Sequence, residues 1–154
     1  MTAEAGQRLL ACLRELQETT TWTVDVTGPR WRLGGATWQA AVDVEPRRYL
    51  GLAFEALDPV TGKRATYDID TDLYDLSQDK YREFAGEIER DIIEFLGNLK
   101  KKAVLRGNSG SKFVLVFPLD GSCVRVVQGR FMSSGSSHPD PAAARIGGDY
   151  VPVE

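Results

Sequence analysis

YREFAGEIERDIIEFLGNLK, residues 81–100, is the stretch whose reading decides the fold. At 100° per residue, Tyr81, Phe84, Ala85, Ile88, Ile92, Phe95, Leu96 and Leu99 fall within an arc of about 120°, the apolar stripe of a helix that must bury one side. Ser77 supplies an N-cap and Asp79 an acid in the first turn. Lys100, Lys101 and Lys102 place bases in the last, so each sign suits the helix dipole. Such a helix needs a sheet to cover, and the sequence on both sides of it has strand periodicity.

Upstream, Leu9, Leu10, Leu13 and Leu16 recur at helical spacing between Glu4 and Glu18, which predicts a first amphipathic helix. The run Thr19-Thr20-Thr21 then favours extended backbone, and the period changes to two: Trp22, Val24 and Val26 alternate with Thr23, Asp25 and Thr27 up to Gly28-Pro29. Residues 30–33 read as a short strand or as part of a long hairpin loop before Gly34-Gly35. Alternation returns over 36–45, and again over 49–57. Asp58-Pro59-Val60-Thr61-Gly62 turns the chain into a strand over 64–70.

Downstream, 107–111 (Gly-Asn-Ser-Gly-Ser) reads as a flexible connector. Lys112 to Leu119 is apolar on both faces and therefore a central strand, and Asp120-Gly121 is a two-residue hairpin signal. The apolar phase slips between Val126 and Val127, which predicts a bulge. The expected fold is α+β: one mainly antiparallel twisted sheet of about six strands in the order α-β-β-β-β-α-β-β, with both helices packed on it. The expected domain spans 1–131. Residues 132–154, rich in Ser, Gly and Pro, form a mobile tail in which 150–153 could dock locally.

A chain of 154 residues with this composition supports one ordinary core. No apolar run approaches the roughly 20 residues of a membrane helix, and the N-terminus lacks a basic-then-apolar leader; a cytoplasmic location and no membrane association are the expectation. Cys12 and Cys123 stand too far apart for a C-x-x-C or zinc spacing and read as small buried hydrophobes. The only histidine, His138, lies in the expected tail, and no phosphate loop, nucleophile elbow or H-E-x-x-H is present. The sequence therefore supplies no catalytic set, no metal set and no cofactor signature.

Charge is uneven. Residues 66–99 hold ten acidic against three basic side chains, whereas residues 1–65 hold eight of each. Asp68, Asp70 and Asp72 alternate on one face of a strand or its exit, with Asp75 and Asp79 following. As a calcium loop the series fails, because Leu73 stands where glycine must turn the chain and Asp79 replaces the bidentate glutamate. Glu83, Glu87, Asp91 and Glu94 share an arc of about 80° on the outer side of the long helix. The plain reading of both sets is a solvated surface; the functional one is an acidic face for a basic protein partner. Arg30, Trp31 and Arg32 form a second candidate, since Trp and Arg dominate interface hot spots, against the alternative that Trp31 packs in the core. The acidic middle opposes nucleic acid.

The expectation is thus a non-enzymatic, bacterial-type protein-binding module, in the manner of an immunity protein, antitoxin or dedicated chaperone. The pattern leaves room for a homo-oligomer. Two rival classes stand beside it: a small carboxylate- or metal-dependent enzyme using Asp68, Asp70, Asp72 and Asp75, and a ligand-binding domain with a pocket between sheet and helix.

Overall fold

The computed structural model describes residues 6–45, 48–71, 81–129, 133–145 and 149–154. Among them lie three helices, α1 (Gln7–Thr19), α2 (Arg82–Lys100) and α3 (Pro141–Ala144). Ten strands accompany them: β1 (Thr23–Thr27), β2 (Arg30–Gly34), β3 (Trp38–Glu45), β4 (Tyr49–Leu57), β5 (Arg64–Asp70), β6 (Leu105–Ser109), β7 (Lys112–Leu119), β8 (Ser122–Gln128), β9 (Ser133–His138) and β10 (Val151–Pro152). The class is α+β, but the strands form two five-stranded antiparallel sheets, β1-β2-β3-β4-β5 and β10-β6-β7-β8-β9, instead of one sheet of six.

The additional strands come from stretches with little apolar signal. Arg30–Gly34 alternates exposed and buried residues and pairs on both sides, with Trp31 opposite Val26 and Val42. Part of the expected connector is β6, which turns through Gly110 (φ +62°) into β7, with Ser109 opposite Lys112. β9 and β10 come from the stretch expected as a tail. β9 is Ser-Ser-Gly-Ser-Ser-His, held to β8 through its backbone, so no apolar alternation was needed to form it.

Central placement of β7 follows its sequence: five consecutive residues, Phe113 to Phe117, are buried. Asp120 (φ 52°) and Gly121 (φ 76°) make the two-residue turn into β8, both in the left-handed region that this hairpin type requires. The expected bulge is not formed, since β8 pairs with β7 without a break from Ser122 to Val127. Its apolar phase shifts because both faces are covered, so that neighbours Cys123 and Val124 are both buried.

The chain divides into two compact units, one of residues 1–35, 39–54 and 68–94, the other of 36–38, 55–67 and 95–154. In the first, α1 buries Leu9, Leu13 and Leu16. Its N-terminus has no side-chain cap of its own at Gly6 (φ 103°); Glu89 of α2, itself fully buried, accepts the N–H groups of Gly6 (2.5 Å) and Leu9 (3.2 Å) and pairs with Arg8 Nε at 3.1 Å. Thr71, also buried, closes β5 by accepting the Leu50 N–H and donating to the Leu50 carbonyl.

The second unit has a core on each face of the β6–β9 sheet. On one face Phe117 meets Phe95 edge-on (5.0 Å between centroids) and Tyr67 (4.8 Å), and Asn98 Nδ2 donates to the Pro118 carbonyl at 2.7 Å. On the other, Val114, Val116 and Cys123 bury Ala144 of α3, with Leu105, Val127 and Tyr150 packed around them. Arg125 fixes this cover by donating to the Ala144 carbonyl (2.8 Å) and the Tyr150 hydroxyl (2.9 Å). The residues expected as tail thus bury apolar surface, and Val153 is 1 % exposed.

Candidate acidic interface

Asp68 and Asp70 stand on the exposed side of β5, an edge strand, flanking buried Ile69. Their side chains share a face, so Asp68 ionises beside another carboxylate. Partial desolvation of its carboxyl first and the Asp70 charge second push its pKa up. Asp72 and Asp75, as well as Asp79 and the expected cap Ser77, lie outside the described residues. Among the described residues no three His, Cys, Asp or Glu side chains come together in a metal-binding arrangement.

On α2, Glu83 and Glu87 are exposed and Asp91 and Glu94 half-buried, at the helical spacing that puts all four on one side. Glu89 belongs to the same acidic run but has a different task, since α2's opposite side carries it into the interior to cap α1. Charge counting alone could not separate it from its neighbours. The signal that could have was its position: Glu89 sits at the border of the apolar arc, beside Leu96 and Ala85 and away from Glu83 and Glu87.

The Arg30-Trp31-Arg32 candidate splits in two. Trp31 is inside, 7 % exposed. Arg30 and Arg32 are outside by strand alternation, and Arg30 makes a two-point pair with Asp43 (2.8 and 3.1 Å), whose carboxylate holds the guanidinium in its charged form. The indole is therefore unable to act as a surface anchor in this arrangement.

Two polar groupings escaped the sequence reading. Asp58, 3 % exposed, accepts the Val60 N–H (2.9 Å) and the Asn108 amide (3.3 Å), with Arg106 at 4.0 Å; it locks the β4–β5 turn to β6. His138 lies opposite Cys123 across the β8–β9 ladder, and the Ser136 hydroxyl is 2.9 Å from its Nε2. Burial pushes the Cys123 thiol up, away from the thiolate a nucleophile requires. No helix among the described residues is long and apolar enough to cross a membrane. No protein-family model, curated protein or solved structure matches this chain.

Proposed function

We propose that the chain is a non-enzymatic protein-binding module that receives a basic protein partner on the outer side of α2. The kind of task is that of an immunity protein, antitoxin or dedicated chaperone. One observation carries the reading: Glu83 and Glu87 are exposed one turn apart and make no ion pair among the described residues. By contrast, Glu89 and Asp58 are absorbed by structural bonds, and Asp43 and Glu55 by ion pairs. Like charges one helical turn apart weaken a helix by a few tenths of a kcal/mol, a cost a cationic partner would remove.

The test is association kinetics with the partner recovered by affinity capture from the source cells. Replacing Glu83, Glu87 and Asp91 by lysine should slow association by about tenfold at low ionic strength while leaving the melting temperature nearly unchanged. Wild-type rates with unaltered salt dependence would reduce the acidic side to a solubilising surface. Saturable stabilisation by calcium or magnesium would instead favour the carboxylate-dependent enzyme centred on Asp68 and Asp70.

A further inference from the structure

A sheet edge exposes unpaired backbone groups, and proteins guard such edges with charges, prolines or short strands. Of the four sheet edges among the described residues, three are guarded. β1 has exposed Asp25 at its centre, β5 has Arg64, Asp68 and Asp70, and β10 is two residues long and contains Pro152. β9 is the exception: six residues, no charged carboxylate, lysine or arginine, no proline, and Ser134 to Ser137 all exposed.

Its glycine adds a second observation. A glycine inside a strand marks a bulge or the close approach of another backbone. β9 pairs with β8 without a break from Ser133 to His138, so there is no bulge, and Gly135 is not among the residues with positive φ. A Cβ built on Gly135 would meet nothing within 4 Å. Nothing among the described residues of a single copy calls for glycine there.

The sequence of the strand indicates what approaches. Ser133-Ser134-Gly135-Ser136-Ser137 reads the same in both directions. Two copies of β9 run antiparallel about a two-fold axis at Gly135 therefore match in register, with Ser134 of one copy opposite Ser136 of the other and the two glycines face to face. Hydroxyl pairs are favourable across such a ladder, and the symmetry is that of a two-fold axis. β1 shows the contrasting case: Thr23-Val24-Asp25-Val26-Thr27 is equally symmetric, but self-pairing would set Asp25 against its own copy.

We propose that β9 is a self-complementary edge through which two copies of this chain associate, joining their β10-β6-β7-β8-β9 sheets into one. This rests on β9 alone and is independent of the acidic side of α2. The contact is narrow, below the ~1,200 Å² of stable interfaces, and so is transient and dependent on concentration. The two-fold arrangement closes at two copies.

Sedimentation equilibrium on the full chain tests it. Wild type should pass from monomer to dimer with a midpoint on the order of 100 μM. Replacing both Ser134 and Ser136 by glutamate, or both by lysine, should weaken self-association by roughly tenfold, because each introduced charge faces a like charge. Mixing those two variants should restore a dimer. Ser134→Glu combined with Ser136→Lys should dimerise without mixing, since each introduced glutamate faces an introduced lysine; this variant carries as many new charges and so controls for loss of fold. A wild-type chain that stays monomeric up to about 1 mM overturns the proposal and leaves the edge to a strand of a different protein. So does a double-glutamate variant that dimerises as wild type does, or a mixture that fails to pair.

Discussion

The carboxylate of Glu89 takes the backbone N–H of Gly6 at 2.5 Å, so the first turn of α1 is capped from α2. In an ordinary capping box, side chains of the same helix satisfy the N-cap and third-residue N–H groups. Gly6 has no side chain to do so, and one oxygen of Glu89 serves both Gly6 and Leu9. The negative charge also faces the positive end of the helix dipole. Removing a buried, multiply bonded charge leaves its donors unsatisfied.

Glu89→Ala is accordingly expected to destabilise the protein by about 3 kcal/mol, and Glu89→Gln by less, because an amide oxygen in the place of Oε2 still accepts both N–H groups and only the charge and the Arg8 pair are lost. Arg8→Ala should cost well under 1 kcal/mol, since that guanidinium is largely exposed. Urea denaturation of the three variants measures the order. Equal losses for Arg8→Ala and Glu89→Ala would mean that the ion pair, not the cap, holds α1.

A second expectation concerns Gly107. A Cβ there would lie 2.6 Å from the Tyr150 ring and 2.8 Å from the Asp149 carbonyl, the latter being backbone that cannot rotate away. Gly107→Ala should lift residues 149–153 from the sheet and cost about 1–3 kcal/mol. Tyr150→Phe, which removes the hydroxyl that accepts from Arg125, should cost about 1 kcal/mol. Ending the chain at residue 132 should lower the melting temperature by more than either, because it uncovers Val114, Val116 and Cys123 as well. A truncated chain that melts with wild type would return these residues to the status of a loose tail.

How far the sequence disclosed this arrangement depended on whether burial left a periodic trace. α1, α2, the central β7 and the Asp120-Gly121 turn are legible because apolar spacing or turn chemistry specifies them locally. β6 and β9 are not, because a strand rich in Gly and Ser is held by backbone bonds to β7 and β8, and nothing in its own side chains announces those partners. Glu89 and Asp58 were hidden for a related reason: a buried acid looks like a surface acid until its long-range donors, Gly6 in one case and Asn108 in the other, are known. Asp68, Asp70, Glu83 and Glu87 stand on exposed sides as alternation and helical spacing predict, while Trp31 goes to the core with Leu33.

Asp58 gives a prediction in pH. The Val60 N–H holds its carboxyl below the usual aspartate range, against burial, which pushes it up, with Asn108 and Thr61 adding to the lowering. A lowered folded value means that ionised Asp58 contributes stability in full above the unfolded value of about 3.9 and loses it as pH falls through the folded value. Asp58→Asn should be less stable than wild type at neutral pH, and the two should converge as the solution is acidified below that range. Parallel stability curves down to the acid limit would show that Asp58 acts through its shape alone.

Asp68 carries the opposite sign, and through it the proposed acidic contact can be probed. Partial desolvation and the neighbouring Asp70 raise its folded pKa, so the ionised form costs stability. That cost is absent below the ordinary aspartate value, grows as pH rises towards the raised one, and is complete above it. Asp68→Asn should therefore stabilise the free protein at neutral pH, and Asp70→Asn should return the Asp68 titration towards its ordinary position. A cationic partner reaching this end of β5 would favour the ionised form, lower the pKa in the complex, and release a proton on binding. Affinity should then fall as pH drops through the raised value, and Asp68→Asn should remove that dependence. Carboxyl NMR titration of Asp68 with and without the partner decides the matter. A downward shift on binding extends the contact surface from α2 to β5. An unchanged titration confines the partner to Glu83, Glu87, Asp91 and Glu94, and leaves Asp68 and Asp70 as guards that keep a sheet edge from pairing.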